Sequence, residues 1–461
     1  MLPSYKWSRV FLIVGVILVV NVLLITRRNY VFESETSSNH SCNVADWNQI
    51  ETDSITNSVQ GAFSRWLWMS LSLSDEHTQP DLPLSIIGAY VYPDHISISI
   101  SPQYMAKQKV YCRYYNCKKI EIPGSSWQSI VFPESVVHCP RRKGAEFVSV
   151  SKRELEDAPN PVKLSFRVFE EPSHELSVCV APLFGSEPKW LQIAEFVEHH
   201  KLEGATFFYF SVGTISEYDR KILDYYEKMG DVEVKVLADQ YQKPYYAWHN
   251  FQLQDCHLRS KFQSKWTAFI DIDERISTVN RPFIDLLRIT DNGALAEIQL
   301  PVLNIIKDQE VSKSYENPEK LRSDMMFEKF INSADPTWNA SKALIRSDKV
   351  GIMSTHYAIA KASGFGTISL DSSQAMVRHY RSTSRRSSGK NWHQIPQADG
   401  KLLKFTNRPL DSIFAQKLSE NIRKVVETVY ARVPVNCSSI PKDLWEPRGF
   451  PDPCVNMLFT W

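Results

Sequence analysis

Downstream of Leu176 the chain switches repeatedly between two hydrophobic periods. "LSVCVAPLF" (176–184) is a continuous apolar run rich in β-branched residues and predicts a buried strand. Trp190, Ile193, Ala194 and Val197 then fall at i, i+3, i+4 and i+7, a helical stripe that Gly204 ends. "ATFFYFSV" (205–212) predicts the second strand. Ser216 is placed to cap the helix "EYDRKILDYYEKM", and Gly230 stops it. "VEVKVL" (232–237), "AWHNFQLQDCHLRSKF" (247–262) and "WTAFIDID" (266–273) continue as strand, helix and strand. Such alternation builds a parallel sheet with helices on both faces. Right-handed crossovers place the ligand crevice beyond the carboxyl ends of the strands, in the common order between the first and the fourth.

Upstream the pattern is different. Between residues 84 and 170, short runs such as "SIIGAYVY", "ISISI", "KVYCRYY" and "EFVSV" are separated by Pro, Gly and Asp, which predicts a small β-rich module ahead of the α/β domain at 171–461. Residues 27–83 are rich in Ser, Thr and Asn, with little periodicity, and read as a stem. Val10 to Ile25 is apolar except for Asn21, and residues 10–26 read as an uncleaved transmembrane signal anchor. Residues 1–9 would then form a cytoplasmic tail, with the body across the membrane.

Composition narrows the classes. At 461 residues and 43% hydrophobic, the chain buries a sizeable core, and a formal net charge of +1 provides no overall field for nucleic acid. Asn39, Asn339 and Asn436 head glycosylation triplets. The eight cysteines suit a disulfide-permissive compartment and show no zinc-site spacing. Cys437 with Cys454, and Cys112 or Cys117 with Cys139, are the pairs that spacing suggests.

Candidate chemistry sits at the end of the fourth strand. In an extended chain Asp271 and Asp273 share a face while Ile272 turns inward. Two hard oxygen ligands side by side suit Mg²⁺ or Mn²⁺, and such an ion neutralises a departing diphosphate. An Asp-x-Asp triplet also arises by chance, and a strand-end turn is its structural alternative. Haloacid-dehalogenase-type phosphotransferases end a strand in the same way, but in the first unit rather than the fourth and without Glu274 and Arg275 following.

Several blocks in order, "CVAPLFGSEPKWLQIAEFVEHHKLEGATFFYFSVGTIS", "DYYEKMGDVEV", "QLQDCHLRS", "WTAFIDIDERI" and "RHYR", resemble glycosyltransferase family 92 over roughly 89–381. The resemblance implies a GT-A fold, a Rossmann-like mixed sheet, in a single-pass type II Golgi membrane enzyme. It implies an inverting galactosyltransferase using UDP-galactose, Mn²⁺ and a glycan acceptor such as fucose of an N-glycan core; a homodimer is compatible. On it, Asp271 and Asp273 hold metal and donor diphosphate. His379 in "MVRHYR" and His356 in "GIMSTHYA" compete to complete the metal site, His379 being favoured because its neighbour Arg381 could reach phosphate. Inversion requires a base, and Glu297, Glu328 and Asp335 are the candidates from the region after the metal motif. The basic segment 381–390 could close over diphosphate, and Trp248 and His249 could meet sugar. The rival to an enzyme is a membrane-anchored glycan-binding paralogue without catalysis.

Overall fold

The structure is a computed structural model, described for Cys42 and residues 44–52, 84–101, 105–133, 135–237, 245–383 (side chains from Trp248), 391–394 and 400–431. The anchor expected at 10–26, Asn39, Asn436, Cys437, Cys454 and most of the segment 381–390 lie outside the described residues. Among those described, no helix is long and apolar enough to cross a membrane.

The β-rich module contains β1 (Ile86–Val91), β2 (His95–Ile100), β3 (Lys109–Tyr115), β4 (Trp127–Ile130), β5 (Val136–Pro140), β6 (Phe147–Ser151), β7 (Val162–Lys163) and β8 (Ser165–Phe166). They form two sheets, ordered β5-β2-β1-β8 and β4-β3-β6-β7. Alternation along β3 sends Val110, Cys112 and Tyr114 into a core with Ile96, Ile98 and Ile100. A Cys112–Cys139 disulfide joins the two sheets, one of the two pairings that spacing left open. Part of the expected stem is packed rather than free. A Cys42–Cys117 disulfide and the Asn48 amide, donating to Ala145 O at 2.6 Å, dock that stretch onto the module.

The α/β domain opens as expected, with β9 (His174–Val180), α1 (Trp190–Leu202), β10 (Phe207–Val212), α2 (Glu217–Met229), β11 (Val232–Val236), α3 (Tyr245–Ser260) and β12 (Ser264–Ile270). These strands are parallel in the order β11-β10-β9-β12, so the first and fourth are neighbours. Strand alternation assigns the helices to faces. Leu176, Val178, Phe208 and Phe210 pack with α1 and α2, whereas Cys179, Tyr209 and Phe269 pack with Leu253 and Cys256 of α3. A Cys179–Cys256 disulfide fixes α3 to β9.

The local signals act as their chemistry requires. Ser216 Oγ accepts from the Asp219 amide, and Gly230 takes φ +81° to close α2. Gly204 has φ +99°, and a Cβ there would stand 2.4 Å from Ile284. Only glycine therefore lets the chain turn while the helix Phe283–Thr290, which carries Ile284, packs against it.

The rest completes a mixed sheet: β13 (Glu274–Thr278), α4 (Phe283–Thr290), β14 (Leu295–Lys307), α5 (Pro318–Asp324), α6 (Met326–Lys329), β15 (Asn332–Ser333), β16 (Thr337–Ile345), β17 (Val350–Met353), β18 (Ala358–Lys361), β19 (Gly366–Ser369), β20 (Ala375–Ser382), β21 (Thr406–Asn407) and α7 (Ser412–Tyr430). β16 runs antiparallel to both β12 and β14, and β20 lies between β13 and β14. The parallel half thus continues into a mixed half within one 11-stranded sheet, where β14 pairs in parallel with β19 and β20. Module and sheet meet at α3. Tyr90 Oη and Ser99 Oγ each donate to Asp255 at 2.9 Å, and Tyr92 Oη donates to Leu258 O at 2.6 Å. Burial would raise the Asp255 carboxyl, but Lys235 and Arg259 outweigh it and hold it at about 2.

Candidate active site

A cleft of about 770 Å³ opens at the carboxyl ends of β9 and β12. Four segments wall it. They are the β9–α1 loop through Lys189 with Gln192 of the first turn of α1, the turn Asp271–Asp273, the stretch from Lys307 at the end of β14 to Val311, and His379 with Thr383 at the end of β20. Strand order therefore delivers the crevice where the parallel topology puts it.

The turn itself corrects the expectation of an extended chain. β12 ends at Ile270, and the Glu274 amide donates back to Asp271 O at 3.0 Å while the Asp271 amide donates to Glu274 Oε2 at 2.8 Å. Asp271, Ile272 and Asp273 consequently all line the cleft. Glu274 is driven inward, only 1% exposed, at the start of β13. A turn and an ion site are compatible here, since turning presents both carboxylates to the same opening.

Charge is balanced by pairing across strands. Register sets Glu274 opposite His379, where the imidazole Nε2 lies 3.4 Å from Asp273 and Nδ1 lies 3.5 Å from Glu274. Lys342 from β16 stands 3.0 Å from Asp271 and 2.9 Å from Glu274. Burial alone would lift Asp273, yet the His379 charge holds it down at about 2. Burial would likewise lower His379, and Asp273 raises it to about 9. Burial pushes Glu274 up to about 7 against the pull of Lys342.

The donor set is right in kind for a hard divalent ion: two carboxylates about one-third exposed and an imidazole, all facing one cleft. Among the described residues no three His, Cys, Asp or Glu side chains are already arranged as a ligand set. The arrangement is an ion-pair network in which His379 and Lys342 occupy the carboxylates. Asp271, Asp273 and His379 are the residues that could hold such an ion, with Asp271 also paired to Lys342.

Other sequence candidates are placed elsewhere. His356 is outside the cleft lining, its Nδ1 2.9 Å from Ser341 O. Arg381 is also outside, with its guanidinium 5.0 Å over the Trp392 ring. Glu297 is 1% exposed and satisfied by the Ala358 amide at 2.8 Å, Thr367 at 2.7 Å and Lys361 at 3.2 Å. Glu328 is exposed on α6, and Asp335 is exposed and paired with Arg408; neither lines the cleft. Asn339 is exposed on β16. Trp248 packs with Leu237 and Phe251, while His249 feels the Asp271 charge but is held below its ordinary value by burial.

Four residues that the sequence reading passed over are drawn in: Lys189, Lys307, Asp308 and Lys342. Lys189 carried a signal, because a cation preceding the first turn of α1 opposes the helix dipole. Asp219 offsets this by accepting from the Lys189 and Trp190 amides, each at 2.8 Å. The ammonium is folded back onto Glu187 O at 2.9 Å. The others had none, because register alone brings β14 and β16 to the turn.

A parallel α/β half thus ends in paired aspartates, with Lys189 and Lys307 around the opening. The model of glycosyltransferase family 92 matches residues 174–418, more than half of the chain, and the chain belongs to that family. A search of curated proteins returns no match. Among solved structures, S. aureus TarS 1–349 in complex with UDP is 13% identical, with 38% of this chain and 47% of that chain covered and a TM-score of 0.21. TarS 1–349 with UDP-GlcNAc is 10% identical, with 58% and 77% covered and a TM-score of 0.23. An apo β-glucuronidase from Ruminococcus gnavus is 10% identical, with 40% and 35% covered and a TM-score of 0.15. The chain spans about half the length of the first of these (47%), and at such TM-scores the likeness carries no argument.

Proposed function

We propose that the chain is an inverting glycosyltransferase that moves a hexose, galactose from UDP-galactose, onto a glycan acceptor, for which fucose of an N-glycan core is a candidate. The observation that carries this reading is the convergence of Asp271, Asp273 and His379 with Lys189 and Lys307 in one cleft at the sheet's switch point. Asp273 and His379, with Asp271, would hold Mn²⁺ or Mg²⁺; when bound, the ion supplies Lewis-acid stabilisation of the leaving diphosphate. Lys189 and Lys307 add positive charge beside the phosphates. Lys342 and the buried Glu274 hold Asp271 in place, so the first carboxylate does not swing when charge builds up on the leaving group. The acceptor hydroxyl attacks from the face opposite the diphosphate and gives its proton to a base.

Three disulfides among the described residues suit an oxidising compartment, and a Golgi lumenal body on a single-pass type II anchor is the location we propose. UDP release from UDP-galactose, with and without Mn²⁺, in the wild type and in Asp273→Ala tests the reading. Metal-dependent turnover that the variant loses is expected. Metal-independent turnover, or full activity in the variant, would sink the metal site.

A further inference from the structure

Beside the first cleft lies a second, of about 480 Å³, walled by Ile306, Lys329, Phe330, Asn332 and His393 among others. The two are joined, for Asp308 and Thr383 line both. We propose that the second cleft is the acceptor-sugar subsite and that Asp308 is the base that activates the acceptor hydroxyl. This rests on the glycosyltransferase reading above and gives its acceptor a place.

The walls have the mixture a pyranose requires. Ile331 presents apolar surface, backed by Phe330, which is buried with the Lys329 ammonium 5.7 Å over its ring, while Asn332 and Lys329 present hydrogen-bonding groups. His393 lines the cleft, and its Nδ1 is buried without a hydrogen-bond partner among the described residues. It is held by Trp392 and Phe405, whose rings lie 5.7 and 6.0 Å from its own.

Position then selects the acid. A base must stand between the nucleophile and the donor, and Asp308 is the carboxylate that borders both cavities. Glu310 borders only the first, and its backbone carbonyl is tied to Lys329 Nζ at 3.1 Å. Glu297, Glu328 and Asp335 border neither. Among the described residues the Asp308 carboxylate has no ion pair or hydrogen bond, so its lone pairs are available to an incoming hydroxyl. Its loop is anchored nearby, where the Trp190 indole donates to Ser312 O at 3.0 Å. The transfer balances. The acceptor O–H proton passes to the Asp308 carboxylate, the freed oxygen bonds to the donor anomeric carbon, and the carbon–oxygen bond to diphosphate breaks with its electron pair on UDP.

The test uses soluble protein from residue 33 onward with UDP-galactose, Mn²⁺ and p-nitrophenyl glycosides of fucose, galactose and N-acetylglucosamine. UDP release, product formation and calorimetric UDP binding are read together. Asn332→Trp, which fills the second cleft, is expected to raise the acceptor KM at least tenfold with the donor KM unchanged. Asp308→Asn is expected to lower kcat at least a hundredfold and to leave UDP binding unchanged. Unchanged acceptor KM in the first variant, or loss of kcat in Glu310→Gln but not in Asp308→Asn, would overturn the assignment. So would a wild type that hydrolyses donor yet transfers to none of the glycosides. A wild type that neither binds UDP nor releases it defeats the underlying function instead.

Discussion

The Lys342 ammonium stands 2.9 Å from the Glu274 carboxylate, and both side chains are buried. Its other contact, 3.0 Å to Asp271, makes it the bridge between a structural acid and a cleft acid. Burial opposes its charge, but Asp271 and Glu274 raise its pKa above the ordinary lysine range. In Lys342→Met, Asp271 loses this cation and Glu274 keeps only the His379 imidazole, 3.5 Å away. Breaking a buried pair in this way costs roughly 3–5 kcal/mol, and the thermal midpoint should fall by several degrees. The double variant Lys342→Met with Glu274→Gln should recover much of the loss, because the remaining buried charge is then removed. A double variant no more stable than Lys342→Met would show that the pair is not the cause.

The approach of His379 to Asp273 sets a second expectation. If these two residues share the ion, His379→Ala should weaken Mn²⁺ binding by roughly 10–100-fold, the scale on which metal sites respond to lost supporting groups. His356→Ala should change it little, since that imidazole is occupied by Ser341 O outside the cleft. Calorimetry with Mn²⁺ alone, without donor, separates the two. Equal losses in both variants would count against the placement of the ion at Asp273.

Between these two histidines lies the boundary of what the sequence could disclose. Period and punctuation made β9 to β12 legible, because each strand and helix is encoded by neighbours a few residues apart and ends at a Gly or Ser with a local reason to be there. The crevice followed from strand order. The contacts that finish the site are different in kind. Lys342, Asp308 and His379 arrive on β16, on the exit of β14 and on β20, and only the pairing register of distant strands decides that they meet the turn. Glu297 shows the converse. Its sequence position suited a base, yet the amide of Ala358 and two side chains from the β18–β19 region absorb its carboxylate.

The Cys179–Cys256 disulfide was hidden for the same reason. It closes a loop of 77 residues between β9 and α3, on the face opposite α1. Constraining a loop of that length stabilises by roughly 4 kcal/mol in the chain-entropy account. Cys256→Ala should lower the urea midpoint accordingly, and reducing agent should lower the wild type more than the variant. Identical unfolding of oxidised wild type and Cys256→Ala would show that the bridge does not form.

Glu203 provides a pH dependence away from the ion site. It caps a helix that has no side-chain cap of its own: its Oε2 accepts from the Phe283 amide at 2.7 Å and from Thr278 Oγ1 at 3.0 Å. Burial pushes its carboxyl up to about 7 from an ordinary 4.5, more than those hydrogen bonds pull it down. The folded chain therefore binds a proton here that the unfolded chain has released, and the stability contributed is full below about 4.5 and lost as pH rises to about 7. The loss is on the order of 3 kcal/mol across that window and flat above it. Glu203→Gln keeps an acceptor for the Phe283 amide but cannot titrate. Urea unfolding of both proteins from pH 4.5 to 8 should show the variant gaining on the wild type as pH rises, with the gap constant beyond neutrality. Parallel stability curves would mean that Glu203 is ionised in the folded protein throughout, with the Thr278 and Phe283 hydrogen bonds outweighing burial.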